Sequence, residues 1–163
     1  MRTHKGQLST LDAMVALAGL ALVTITALAL FATLYGNVSS SADRKDMEIK
    51  SYYALEELLT RGTPANWQTL GQDSIDNYGL AREDAVLDPD KLAAFNATMA
   101  ANSTIVRERL GLSKYNFSIK VSDYYSRAPI YGVGSVNESS AAGLERVSTL
   151  NGSLVLVQFR VSK

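Results

Sequence analysis

Polarity is distributed unevenly along this chain. Thirty consecutive residues between Asp12 and Asp43 carry no charge, and within them residues 13–35 form an apolar run of 23. A helix rises ~1.5 Å per residue and a bilayer core is ~30 Å thick, so the run predicts a helix able to span a membrane. A buried core helix is the competing reading, but the remainder of the chain is too small to enclose one. Beyond the run, Met47, Ile49, Tyr52, Leu55, Leu58 and Leu59 recur at intervals of two to four among Asp43, Arg44, Lys45, Asp46, Glu48 and Lys50. That spacing continues the helix as an amphipathic segment with one side available to pack on a head. Arg61, Gly62 and Pro64 mark its end, with Gly62 as a left-handed cap. A helix over residues 8–60 is ~80 Å long, so part of it must lie outside any bilayer. Gly36 and the polar stretch Asn37-Val38-Ser39-Ser40-Ser41 offer a place for a break or hinge.

The pattern then changes twice. Residues 64–88 read as irregular, with Trp67 and Leu70 tucked against the helix and Trp67 better suited to a buried anchor than to ligand stacking. Asp88-Pro89-Asp90 predicts a helix start, Asp88 capping and Pro89 in the first turn, with helices over 89–99 and 104–110. Tyr115, Phe117, Ile119 and Val121 alternate with Asn116, Ser118, Lys120 and Ser122, the period of a strand with one buried and one wet face. Val155, Val157, Phe159 and Val161 form a second such row, and a strand over 144–150 joins it through the hairpin signal Asn151-Gly152. The Gly-, Ser- and Ala-rich residues 126–143 read as a mobile or variable loop. The expected fold is α+β: a long hydrophobic N-terminal helix packed on a small C-terminal head with an antiparallel sheet of three to four strands.

Charge and composition remove several kinds of function. Formal net charge is zero, so no long-range field draws nucleic acid, and no nucleic-acid partner is expected. There is no cysteine, which excludes disulfides and thiolate chemistry. The single histidine, His4, lies in the basic N-terminal tip with Arg2 and Lys5, so no serine in the body of the chain has an imidazole partner. Glu56 and Glu57 are adjacent on a helix and point ~100° apart, which suits a solvated face better than a carboxylate pair. Asp88 and Asp90 lack the flanking ligand spacing of a Ca²⁺ loop. Tyr52-Tyr53 and Tyr124-Tyr125 invite an adhesive or stacking role, though core and helix-to-sheet packing is the simpler account. No enzyme, cofactor or metal is expected.

A cleavable secretory peptide also begins with a basic tip, but its apolar region runs only ~7 to 15 residues and ends in the cleavage site. Here the small residue, Gly6, precedes the apolar run, and a cut there removes the positive tip while leaving the helix attached. The stretch Lys5-Gly6-Gln7-Leu8-Ser9-Thr10-Leu11-Asp12, followed by Ala13-Met14-Val15-Ala16-Leu17, resembles the class III signal of archaeal type IV pilin-like proteins. A looser likeness to pilin-like heads covers residues 62–67 and 110–121.

The resemblance implies that a prepilin-type peptidase cuts between Gly6 and Gln7, giving a leader over 1–6, a helix over 7–61 with its span near 13–35, and an extracellular head over 62–163. It also implies that Asp12 meets the new N-terminal amine of a neighbouring subunit. The acid departs from the family's spacing, which places it four residues beyond the first mature residue, whereas Asp12 is five beyond Gln7. A cut after Gln7 restores the spacing at the cost of the glycine. Independently of the family, a carboxylate beside hydrocarbon costs several kcal/mol unless paired, and an α-amine with pKa ~8 is a fitting partner. A simple helix cap at the water interface accounts for Asp12 equally well.

Six of the eight asparagines open an Asn-X-Ser/Thr triplet: Asn37, Asn96, Asn102, Asn116, Asn137 and Asn151. Serine and threonine make up 28 of 163 residues, so chance supplies one or two. The excess points to an N-glycosylated, outward-facing surface.

Taken together, these readings point to a structural subunit of a type IV pilus-like surface filament, serving adhesion. It is stored in membrane lipid as a single-pass protein and then polymerised with identical subunits by pilus assembly machinery. Small residues such as Ala13, Ala16, Ala18, Gly19 and Ala21 permit close helix contacts once lipid is exchanged for copies of the same helix. The alternative is a non-polymerising single-pass surface protein whose ectodomain binds a ligand or partner.

Overall fold

The computed structural model describes residues 4–163, with side chains from residue 11 onward except at 37, 39 and 40. The chain divides into two compact units, Met1–Asp43 and Arg44–Lys163. Helix α1 (His4–Leu58) contributes to both and continues through Gly36 and the serine-rich stretch, where the sequence had allowed a break. Relative to alanine, glycine costs a helix about 1 kcal/mol and serine less, too little to interrupt a helix flanked by good helix formers.

In the second unit, one stripe of α1 is buried: Met47, Ser51, Ala54, Leu55 and Leu58. These positions follow i, i+4, i+7, i+8 and i+11, which is one face of a 3.6-residue period. Ile49 and Tyr52, expected on the packing side, are 56% and 46% exposed because they fall out of phase with that stripe. Ser51 is tolerated inside because its hydroxyl donates to Met47 O at 2.6 Å. The helix ends at Leu58, slightly before the expected boundary, and Gly62 follows with φ +77°.

Several carbonyls at this helix end find partners outside the helix. Leu80 N–H donates to Leu58 O at 2.7 Å and Ala81 N–H to Thr60 O at 2.9 Å. The buried Lys91 ammonium donates to Arg61 O at 2.6 Å and Ala81 O at 3.0 Å. Trp67 is buried as expected, its indole N–H donating to Gly79 O at 2.7 Å and its ring edge-on to Tyr78, while Leu70 stays 39% exposed. The stretch read as irregular holds single 3₁₀ turns at Trp67–Thr69 and Gln72–Ser74 and two short strands, β1 (Ala81–Glu83) and β2 (Val86–Leu87).

Helix α2 (Pro89–Arg109) begins at the expected cap, with Asp88 accepting from Asp90 N–H at 2.9 Å. The two expected helices form it as segments joined across a kink at Asn102, whose φ of −154° is not helical. Strands β3 (Asn116–Asp123), β4 (Pro129–Gly134), β5 (Ala142–Leu150) and β6 (Ser153–Ser162) follow.

The sheet has six strands in the order β1-β2-β5-β6-β3-β4, so the fold is α+β with more strands than expected. It is mixed rather than antiparallel: β2 runs parallel to β5, pairing Val86 with Thr149 and Leu87 with Leu150. Its inner face carries Phe117, Ile119 and Val121 beside Val157, Phe159 and Val161, and these close on α1 and α2 in one core. The outer face is drier than alternation implied, since Ser118, Ser122 and Leu156 are also buried. Asn151 and Gly152 make the predicted tight turn, both with positive φ. The supposed loop over 126–143 contains β4, an edge strand whose Tyr131 and Val133 pack against the core.

Candidate functional site

The apolar part of α1 is the most unusual surface of the molecule. From Leu11 to Tyr35 its large apolar side chains, among them Met14, Leu17, Leu20, Val23, Leu28, Phe31 and Leu34, are each more than 60% exposed. Successive residues of a helix advance ~100°, so these positions point in every direction around the axis. Among the described residues this is one helix long and apolar enough to cross a membrane, reaching a mean hydropathy of 2.4.

Its polar atoms are silenced locally. The hydroxyls of Thr24, Thr26 and Thr33 donate to Leu20 O, Leu22 O and Ala29 O at 2.8, 2.8 and 2.9 Å. With the backbone paired within the helix, this surface presents hydrocarbon with no unmet hydroxyl donor at those positions, the condition for residence in lipid. Gly19 and Gly36 have nothing within 4 Å of where a Cβ would stand, leaving notches in the surface. Asp12 is exposed at one end of the segment. Gly6 and Gln7 lie on α1, but their side chains fall outside the described residues, so the inferred cut and the pairing of Asp12 with an amine are not addressed by the geometry.

The sequons divide by setting. Asn96 is exposed on α2, and Asn102 sits at its kink, accepting from Ile105 N–H at 3.3 Å. Asn116 is exposed at the start of β3, where it accepts from Arg107 at 3.1 Å. Asn137 is exposed in the β4–β5 connection and Asn151 is exposed in the β5–β6 turn, as expected of both. The side chain of Asn37 lies outside the described residues.

The tyrosine pairs are not core residues. Tyr53 and Tyr125 are 68% and 79% exposed, while Tyr52 and Tyr124 lie under the guanidinium groups of Arg146 and Arg127 at 5.9 and 5.7 Å. Arg146 also pairs with Glu56 at 3.2 Å, holding the side of α1 against β5. Burial raises the pKa of Glu57, so the two adjacent glutamates occupy different environments without facing one another.

Two open concavities of about 330 and 550 Å³ lie on the outer sheet face and share Glu145 and Gln158. Gln158 donates to Glu145 at 2.6 Å, and Glu138 from the β4–β5 connection pairs with Arg160 and, at 3.6 Å, with Lys120. Their charges are thus largely spent on each other. Among the described residues no group of three or more histidine, aspartate or glutamate side chains is placed to hold a metal ion.

Comparison with known protein families, with curated proteins and with solved structures finds no match.

Proposed function

We propose that this chain is a structural subunit of an extracellular type IV pilus-like filament, held in a membrane by α1 and polymerised through it. The observation that carries the reading is the contrast between the two units. Residues 11–36 expose apolar side chains all around, while Arg44–Lys163 closes a core that uses none of them. An apolar cylinder that its own chain leaves uncovered needs lipid or other copies of itself as solvent. A contact between copies that does not close on itself extends into a fibre.

In this reading the peptidase releases residues 1–6, the amine of Gln7 meets Asp12 of a neighbour, and the unit Arg44–Lys163 faces outward carrying five of the six sequons. The role is mechanical and adhesive rather than enzymatic. Mass spectrometry of the N-terminus in material sheared from the cell surface tests it. A chain beginning at Gln7 or Leu8 within fibres supports the proposal. An intact Met1 found only in membranes overturns it in favour of an anchored, non-polymerising surface protein.

A further inference from the structure

The sequons differ in what the hydroxyl residue at their third position is doing. At Asn96, the Thr98 hydroxyl donates to Ala94 O at 2.9 Å, back along α2 and away from the asparagine. At Asn116, the hydroxyl residue Ser118 is buried within the sheet. Asn102 spends its carboxamide oxygen capping a helical segment, and Asn151 is held with φ +51° in a tight turn. Among the described residues only Asn137 has its own sequon closed on itself. The Ser139 hydroxyl donates to Asn137 Oδ1 at 2.8 Å, and the Ser139 N–H donates to the same oxygen at 3.2 Å.

The surroundings keep that arrangement outward. The middle residue of the triplet, Glu138, is drawn onto the sheet by Arg160 and Lys120. The Asn137 N–H donates to Ser162 Oγ at 3.1 Å, fastening the turn to the end of β6. Asn137 and Ser139 themselves remain exposed.

We infer that Asn137 is an N-glycan acceptor that is already competent in the folded protein. The donor is a sugar carried on a polyisoprenyl phosphate lipid, brought by a membrane transferase. Two hydrogen bonds into Oδ1 draw electron density from the carboxamide and acidify its N–H, leaving Nδ2 free to react. Nδ2 forms a bond to the anomeric carbon as that carbon's bond to the phosphate oxygen breaks. One Nδ2 proton passes to a base of the transferase, and the lipid phosphate leaves. Asn96 and Asn116 lack this geometry once α2 and β3 have formed, so they accept sugar only before folding.

The inference rests on the proposed outward placement for access to the transferase. Its test is glycopeptide mass spectrometry of the native chain. Trypsin releases residues 128–146, whose only asparagine is Asn137, and residues 115–120, whose only asparagine is Asn116. The first peptide is expected to carry sugar at severalfold higher occupancy than the second. Ser139→Ala removes that sugar and Ser139→Thr keeps it, with thermal melting unchanged in both. A bare 128–146 peptide from chains recovered in surface fibres overturns this inference and leaves the filament reading standing. Chains confined to the cytoplasm with every sequon bare overturn both.

Discussion

The Tyr115 hydroxyl donates to Asp46 Oδ2 at 2.6 Å, joining the residue just before β3 to a turn of α1 that lies 69 residues earlier in sequence. Lys50, one turn along, pairs with the same carboxylate at 3.4 Å and lies 5.2 Å from the centre of the Tyr115 ring. Each of the three groups therefore supports the other two.

The Tyr115 hydroxyl, foremost, and Lys50 hold the Asp46 carboxyl below its ordinary pKa of 3.8. A carboxyl whose folded value is lowered adds stability above its unfolded value and loses it as pH falls through the folded one. Tyr115→Phe is thus expected to lower the melting temperature at pH 7, with the gap to wild type narrowing below pH 3.8. Thermal melts of both proteins across that range check it, and a gap independent of pH counts against the carboxylate's part.

Lys91 is 3% exposed and donates to two backbone carbonyls. Lys91→Met keeps the aliphatic stem but strands the buried Ala81 carbonyl and the part-buried Arg61 carbonyl, at a cost of about 2–3 kcal/mol. Denaturant unfolding of the full chain in detergent measures the loss. Burial also lowers the pKa of Lys91 from 10.5, so wild-type stability gains from this group as pH rises from the lowered value toward 10.5.

Gly79 and Gly62 meet backbone to backbone. A Cβ on Gly79 would stand 2.0 Å from Gly62 N and 2.3 Å from Thr60 O, with no flexible side chain to yield. Gly79→Ala is expected to cost about 4 kcal/mol or more, since backbone must move and the Trp67 bond to Gly79 O moves with it. Gly71→Ala, where a Cβ meets nothing within 4 Å, serves as the control and should stay near wild type in the same melts.

Much of this was legible from residue order, and the failures have physical causes. The apolar span is one uninterrupted run, and the Asp88 cap and the Asn151-Gly152 turn each depend on a few adjacent residues, so local sequence decides all three. β6 was visible because four inward residues alternate without interruption. β4 was not: Pro129, Gly132 and Gly134 are poor strand formers, and only Tyr131 and Val133 turn inward. β2 is two residues long and exists because β5 lies alongside, a tertiary fact. Counting apolar positions on α1 found the amphipathic segment but not its phase, which the head selects, leaving Ile49 and Tyr52 outside. The sequons were legible as a motif, whereas the hydrogen bond that separates Asn137 from the rest depends on where Glu138 is pulled.

Within the apolar segment, Leu22→Arg places a guanidinium near the middle of the span. At about 2.5–3.5 kcal/mol for a charge at a helix centre, membrane insertion should fall sharply, as read by the fraction of chain resisting alkaline extraction. Leu22→Ile should insert like wild type.

On the proposed filament reading, Asp12→Ala is expected to separate anchoring from polymerisation. Removing an edge carboxylate favours lipid, so membrane content should be unchanged or higher, while fibres seen by electron microscopy should vanish. Normal fibres from this variant would remove Asp12 from the assembly contact and leave it as a helix cap.

The way α1 ends has a mechanical consequence. Tension applied along the helix would reach the sheet through Tyr115 on Asp46 and Arg146 on Glu56, and at the helix end through the bonds from Leu80 and Ala81 into Leu58 O and Thr60 O, with the Lys91 ammonium on Arg61 O. The last three links all land within residues 58–61, so they would be loaded together once force reaches that end of α1. Single-molecule pulling would then register the rupture of this junction as one abrupt step, and Lys91→Met would lower the force at which it yields.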